Sequence, residues 1–171
     1  MRITRVAVAL SLVLAAAGCR KEPLMTEGKP SEAEPGSKSA AGVAFTVVPH
    51  GAQLELTWRN TAGTAIRLAT HVFAGENHYD WVKVTLTDRA GASRRLQFMD
   101  NRDESAPVAV DLAAGASTSA TIDLAAWAKR PINGGTPLAP GSYDAKVVYD
   151  SSREHEVWAG RLEASTRVDV P

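Results

Sequence analysis

The stretch Leu138-Ala-Pro-Gly-Ser-Tyr-Asp-Ala-Lys-Val-Val-Tyr-Asp150 decides the fold class, because it joins a turn to a strand. Pro140-Gly141 is a turn signal. After it, aromatic or apolar side chains occupy every second position up to Tyr149, and Asp144 and Lys146 lie between them. A period of two is typical of an antiparallel strand that buries one face and exposes the other.

The same period recurs along the chain and predicts a β-rich domain. The clearest strands are predicted at 54–58, 82–86, 143–149 and 158–170, and weaker patterns indicate strands at 43–48, 65–70, 94–99, 107–112 and 117–124. Turn signals separate them at intervals of about ten residues, which is typical of an all-β sandwich or barrel. The helix predicted at 124–129 is short, with Asp123 as its cap and Pro131 beyond its end.

Two local motifs favour the sandwich. The segment from Leu138 to Tyr143 resembles the tyrosine corner of immunoglobulin-like sandwiches, in which a tyrosine hydroxyl bonds to nearby backbone. The segment Leu112-Ala-Ala-Gly115-Ala-Ser117 resembles the related turn that precedes another strand of such domains. The predicted fold is therefore an all-β, immunoglobulin-like antiparallel β-sandwich of about eight or nine strands. The alternative is that Tyr143 is simply an inward-facing aromatic residue.

A wider resemblance covers residues 52–149. The motifs that carry it are Leu54-x-Leu-x-Trp-x-Asn60, Asn77-His-Tyr-Asp-Trp81, Asp88-x-x-Gly91, Phe98, the Leu112/Gly115 turn and Pro140-Gly-x-Tyr143. This order is similar to the bacterial domain family named after the intracellular proteinase inhibitor of bacilli. The resemblance implies an immunoglobulin-like sandwich and, as a minority hypothesis, inhibition of a protease.

The N-terminus has the layout of a secretory signal that ends at a cysteine. Met1-Arg-Ile-Thr-Arg5 is positively charged, and an apolar run follows from Val6 to Ala17. Ala16-Ala-Gly-Cys19 resembles the lipobox of bacterial lipoproteins, except that Ala16 stands where leucine is usual. The resemblance implies that residues 1–18 are removed and that Cys19 carries a covalent lipid, with no other cofactor expected.

The alternatives to a lipid anchor are an uncleaved membrane helix and a secreted protein with a free thiol. The apolar run of about 12 residues is short of the roughly 20 that a spanning helix needs. Cys19 is the only cysteine, so an intramolecular disulfide is excluded. Arg20 follows the cysteine, and with no aspartate there the lipoprotein resemblance favours the outer membrane of the bacterial cell envelope, facing the periplasm or the surface.

Residues 19–42 are predicted to be the lipidated cysteine and a disordered tether, and residues 43–171 the sandwich domain. The tether is rich in Pro, Glu, Lys, Ser and Gly and cannot bury enough apolar surface to become ordered. Removal of residues 1–18 takes away Arg2 and Arg5 and no acid, so the mature chain has a formal charge of −2. This balance gives no electrostatic basis for binding nucleic acid.

The sequence indicates no catalytic or metal-binding motif, so we expect no enzyme. The four histidines, His50, His71, His78 and His155, form no metal-ligand spacing. The acidic run Asp100-Asn-Arg-Asp-Glu104 lacks the alternation of a calcium loop. Neither a nucleophile elbow nor a phosphate-binding loop is present.

Binding is the function that remains, and two loops are its candidates. The first contains His71, Phe73, His78, Tyr79 and Trp81, and the second contains Asp100, Arg102 and Asp103. Trp81 is two residues before Lys83 and four before Thr85, so the alternation predicts that it faces outward. The open alternative is that Trp81 and Tyr79 cover one end of the sandwich. Trp58 and Trp158 have inward parity, and Trp127 is expected to plug the other end.

The sequence therefore predicts a non-catalytic binding or accessory module for a protein or cell-wall partner, anchored to the membrane by lipid. The first alternative is a proteinase inhibitor that presents loop 71–80 or 100–106 to a protease, with Arg102 filling a pocket. A hydrolase is a distant alternative.

Overall fold

Antiparallel strands make up most of the chain that the computed structural model describes, residues 36–71, 81–98 and 108–171. The strands are β1 (Gly36–Ala40), β2 (Val43–His50), β3 (Gln53–Asn60), β4 (Ile66–His71), β5 (Val82–Thr87), β6 (Ser93–Gln97), β7 (Val108–Leu112), β8 (Ser117–Asp123), β9 (Gly141–Asp150) and β10 (Arg161–Val170). Helix is limited to α1 (Leu124–Ala128) and a 3₁₀ turn at Pro131–Asn133. The predicted all-β class is confirmed.

Two four-stranded sheets form the sandwich. One has the order β1-β2-β3-β8 and the other the order β10-β9-β5-β6, while β4 and β7 pair in a separate two-stranded ribbon. The alternating apolar residues of both sheets join one buried core, in which the rings of Trp58 and Tyr149 meet edge to face at 5.4 Å. Strands β2, β3 and β8 take the places A, B and E of an immunoglobulin-like sandwich, and β10, β9 and β5 the places G, F and C.

The tyrosine corner is present at the start of β9. The Oη atom of Tyr143 donates a hydrogen bond to the carbonyl oxygen of Ala139 at 2.8 Å. Gly141, between the two, has a φ of +148°, a conformation that side-chain-bearing residues rarely adopt. The predicted corner is confirmed, and it holds the turn before β9 against the strand that follows.

Strand β1 lies within the segment that its composition assigns to the tether, and the bounds of tether and domain stay predictions. β1 pairs with β2 from Gly36 opposite Val47 to Ala40 opposite Val43. Such pairing needs only main-chain groups, so it does not depend on the apolar side chains that this segment lacks. The linking turn has positive φ at both positions, +44° at Ala41 and +83° at Gly42. Alanine rarely adopts this conformation, so the turn is strained.

The outer edge of β6 is covered by the segment from α1 to the 3₁₀ turn. Asp123 caps α1 as predicted, accepting a hydrogen bond from the backbone of Ala126 at 2.9 Å. The carboxamide of Asn133 bonds to both main-chain groups of Gln97, at 3.0 and 2.8 Å, as a neighbouring strand would. Trp127 of α1 is buried and packs on Phe98 near this edge. Polar edge groups of the sheet are thereby satisfied.

Asn60 is fully buried at the end of β3 and joins three parts of the chain. Its Nδ2 atom donates to the carbonyl oxygens of Thr64, Leu112 and Ala113 at 2.8, 2.9 and 3.1 Å. Its Oδ1 atom accepts from the backbone nitrogen of Ala62 at 2.9 Å. The main-chain groups of Asn60 also bond to the turn before β8. The side chain of Asn60 thus links the segment that follows β3 to the C-terminal end of β7.

We expect Asn60→Ala to lower the free energy of unfolding by about 2–4 kcal/mol, because it leaves the buried carbonyl oxygen of Leu112 and three part-buried backbone groups without this partner. Urea denaturation followed by tryptophan fluorescence measures the loss. The matched control is Arg59→Gln, an exposed neighbour on the same strand, for which we expect a change within about 0.5 kcal/mol. Equal effects of the two substitutions would contradict this role for Asn60.

Candidate functional site

The two loops predicted to bind a partner lie almost entirely outside the described residues. His71 is the last residue of β4, and its backbone pairs with Val108 after an irregularity in the register. Phe73, His78 and Tyr79 of the first loop, and Asp100, Arg102 and Asp103 of the second, lie outside the described ranges, as does Cys19. These residues therefore stay predictions.

Trp81 does not face outward as its parity suggested. Only 1% of the residue is exposed, and its Nε1 atom donates to the Oε1 atom of Glu154 at 2.9 Å. The reason is that Trp81 precedes the first residue of β5, so the alternation that starts at Val82 does not extend to it. A direct contact between the Trp81 ring and a partner is excluded in this conformation. Its burial agrees with the alternative in which Trp81 covers one end of the core.

Trp158 anchors the loop from Ser151 to Gly160, which joins β9 to β10. It precedes β10 and is half-buried, stacked on Tyr149 with ring centroids 6.2 Å apart. Its Nε1 atom donates to the carbonyl oxygen of Ala41 at 3.0 Å, and its backbone nitrogen to that of Arg67 at 2.6 Å. The loop is therefore tied to two other segments of the domain.

A cleft of about 300 Å³ lies on the outer face of the β10-β9-β5-β6 sheet. Seven side chains from all four strands line it, and four of them are cationic: Lys83, Thr85, Arg95, Lys146, Val148, Asp150 and Arg161. The pairing of these four strands fixes the positions at which the side chains leave the sheet. The cleft is thus a preformed, mainly cationic surface.

Two carboxylates are bonded to cations at one side of the cleft. Glu163 accepts from Lys146 at 2.9 Å and from Arg161 at 2.6 Å. Asp150 lies 3.7 Å from Arg161 and accepts a hydrogen bond from the hydroxyl of Ser152 at 2.6 Å. These contacts hold Lys146 and Arg161 in place on β9 and β10.

The charges in this network shift its pKa values toward the ionised forms. Hydrogen bonds from Lys146 and Arg161 lower the pKa of Glu163. Burial acts to raise the pKa of Asp150, but the hydrogen bonds from Ser152 and the charges of Arg161 and Lys83 outweigh it, so that this pKa is lowered. The bond to Glu163 raises the pKa of Arg161. Both carboxylates and the guanidinium of Arg161 are therefore charged at neutral pH.

Arg95 differs from the other cations of the cleft. It is exposed on β6, and within the described residues no hydrogen bond or ion pair engages its guanidinium. Sequence reasoning missed this cleft, because the outward positions of several strands were recognised as polar while the register that makes them neighbours was unknown. The one available signal was the cationic residue at an outward position in each of β5, β6 and β9.

Comparison with known proteins adds no family assignment: no protein-family model matches the chain, and no match to it is found among curated proteins. In residues 36–71, 81–98 and 108–171, no group of three or more metal-ligating side chains is placed to hold a metal ion. Over the same ranges, the helices lack the length and apolarity that a membrane crossing requires.

We expect Gly160→Ala to displace the Trp158 ring. A Cβ atom at residue 160 would lie closer to the indole of Trp158 than carbon atoms can approach. The free energy of unfolding should fall by about 1–3 kcal/mol, because the added atom overpacks a filled site. Urea denaturation and the near-ultraviolet circular dichroism of the aromatic residues measure both effects. Gly63→Ala is the control, since a Cβ atom there meets open space. An unchanged spectrum for Gly160→Ala would contradict this packing.

We expect the stabilising effect of Glu163 to depend on pH. Because its folded pKa lies below the ordinary value of 4.5, the effect is fully present above that value and is lost as the pH falls through the folded pKa. Glu163→Gln should therefore reduce stability at pH 7, and the difference from wild type should vanish in acid. Thermal unfolding of both proteins from neutral to acid pH measures it. The control is Glu156→Gln in an exposed turn, which should have little effect at neutral pH. A difference that persists in acid would refute the charge-based origin.

Proposed function

We propose that this chain is a lipid-anchored lipoprotein of the bacterial cell envelope whose sandwich acts as a non-catalytic binding module for a protein or cell-wall partner. The observation that carries the binding function is the preformed cationic cleft on the outer face of the β10-β9-β5-β6 sheet. Function has to be argued from such a site, because sandwiches serve many unrelated activities.

The sequence supports the anchor. A positively charged start, an apolar run and Ala16-Ala-Gly-Cys19 follow one another as in bacterial lipoproteins, and the lone Cys19 is then the site of lipidation. With Arg20 after the cysteine, the outer membrane is the favoured location, and the domain faces the periplasm or the surface. A tether would confine the domain near the membrane and raise its effective concentration toward a partner there.

The mechanism is binding to a rigid surface. The cations of the cleft stand on four hydrogen-bonded strands, and Glu163 and Asp150 hold two of them in position. Because the strands are already ordered and two of the cations are held by carboxylates, binding at these positions requires less ordering, and more of the interaction energy appears as affinity. The lipid supplies location and the cleft supplies recognition.

Site-specific photo-crosslinking in the native cell tests the binding function. A photoreactive amino acid replaces Thr85 in the cleft, and in the matched control it replaces Thr57, which lies on the outer side of the other sheet. We expect a discrete adduct from position 85 and none from position 57. Equal adducts from both positions, or none from position 85, would contradict binding through the cleft.

Intact-mass analysis of the same chains tests the anchor separately. The wild type should lack residues 1–18, carry the mass of acyl chains and sediment with the membranes, whereas Cys19→Ala should carry no lipid and leave the membrane fraction. A wild-type chain without lipid would contradict the proposed lipid anchor. It would not affect the test of binding through the cleft, which depends on the crosslinking result.

A further inference from the structure

Strand β8 forms an open edge of the β1-β2-β3-β8 sheet. Among the described residues its one strand neighbour is β3, and the register between them runs without a bulge from Ser117 to Asp123. The opposite sheet differs, because the carboxamide of Asn133 covers the outer edge of β6. Proteins usually cover or guard such edges, since an unpaired strand is a template for pairing with another chain.

The hydrogen bonds at the two ends of β8 show which main-chain groups face outward. The backbone nitrogen of Asn60 donates to the carbonyl oxygen of Ala116 at 2.8 Å. At the other end, the backbone nitrogen of Leu124 donates to that of Ala52 at 3.0 Å. Since bonded and unbonded pairs alternate along an antiparallel ladder, the even-numbered residues of β8 bond to β3. The N–H and C=O groups that point away from β3 are those of the odd-numbered residues, Ser117, Ser119 and Thr121.

These outward main-chain groups have no hydrogen-bond partner in the part of the chain that the structure describes. Their residues are exposed, whereas Ala120 and Ile122, which alternate with them, are buried. No lysine, proline or bulge guards the strand, and its one charged side chain, Asp123, caps α1 at its end. The edge is therefore accessible and chemically ready to accept a further strand.

We propose that β8 of a second copy of this chain pairs with this edge, antiparallel and about a two-fold axis at Ala120. In that register Ser119 lies opposite Thr121 of the second copy, and Ser117 lies opposite its Asp123. All four positions are odd-numbered, so the outward N–H and C=O groups of both strands meet as bonded pairs. The two four-stranded sheets then form one continuous sheet across the axis.

The side chains of β8 are compatible with a second β8. Ala120 faces its own copy at an unbonded position, where side chains approach most closely, and alanine is small enough for that position. The two Asp123 carboxylates lie at opposite ends of the paired strands, six residues or about 20 Å apart, so like charges do not meet. The two-fold pairing thus matches both the length and the charge pattern of the edge, which is why a second copy is the occupant proposed.

This pairing is independent of the binding function proposed above, because the cleft lies on the β10-β9-β5-β6 sheet. Position 57, the crosslinking control, is on β3 and so two strand spacings, about 9.6 Å, from the second copy. Loss of the dimer would leave an adduct from position 85 unaffected. Absence of that adduct would equally leave the dimer unaffected.

Sedimentation velocity of the full chain in a non-ionic detergent tests the pairing with two double variants. Ser119→Lys with Thr121→Lys places lysines opposite each other twice across the axis, and Ser119→Glu with Thr121→Lys places glutamate opposite lysine twice. Like charges directly opposite destabilise a strand pair, and unlike charges stabilise it. We expect a wild-type dimer, and a dimer dissociation constant at least about tenfold lower for the glutamate–lysine variant than for the lysine–lysine variant.

The two double variants are matched, because they differ only in the sign of one charge at an exposed position. Far-ultraviolet circular dichroism checks that both are folded. A monomeric wild type would overturn the proposal. So would equal dissociation constants of the two variants, because a dimer formed through another surface does not sense this charge.

Disulfide formation tests the register. In a chain with Cys19→Ala, which has no other cysteine, one preparation carries Ser119→Cys and a second carries Thr121→Cys. The pairing brings positions 119 and 121 to about 5.5 Å between Cα atoms, within reach of a disulfide, whereas like positions are two residues out of step and beyond that reach. We expect a crosslinked dimer from the mixture and none from either preparation alone. An equal yield from one preparation alone would overturn the pairing.

Discussion

The buried carboxamide of Asn60 is the interaction on which the arrangement of the sandwich depends. Sheets satisfy their own backbone groups, but the segments that follow β3 and β7, including Thr64 and Ala113, lie outside the strands. Asn60 bonds three carbonyl oxygens and one backbone nitrogen there, all from segments that leave or approach the sheets. Buried groups without partners are costly, so this contact decides how the ribbon of β4 and β7 meets the main sheets.

Much of the fold could be predicted from the sequence because burial of one sheet face imposes a period of two. The alternation from Tyr143 to Tyr149 indicates such a buried face. The turn before it is recognisable because it depends only on neighbouring residues, Pro140 and Gly141. Pairing is different, since nothing in the residues of β4 indicates β7 as its partner. Trp81 shows the limit of parity, which applies only within a strand. The cleft could not be predicted, because Arg95 and Lys146 become neighbours only through the register of β6, β5 and β9.

Arg94 and Arg95 are adjacent on β6, and because successive side chains of a strand point to opposite faces, they have different environments. Arg94 donates to the carbonyl oxygens of Ala128, Asn133 and Thr136 at 2.7 Å each, and so fastens the covering segment to the sheet edge. Arg95, one position on, lies on the opposite face and lines the cleft. Arg94 therefore helps to cover the edge of the sheet, whereas Arg95 exposes its charge to solvent. Covering this edge also hinders the pairing of a further strand with β6.

The hairpin of β1 and β2 has a mechanical consequence. A force applied to the chain before Gly36 acts at the open end of this hairpin, so it loads the paired residues one after another, beginning with Gly36 and Val47. Pairs loaded in sequence resist far less than pairs sheared together, and the strained turn at Ala41 lowers the resistance further. At Ala41 the chain has a further contact, because the indole of Trp158 donates a hydrogen bond to its carbonyl oxygen. Tension on the chain before Gly36 therefore acts on the pairing of β1 with β2 before it acts on the strands that carry the buried core.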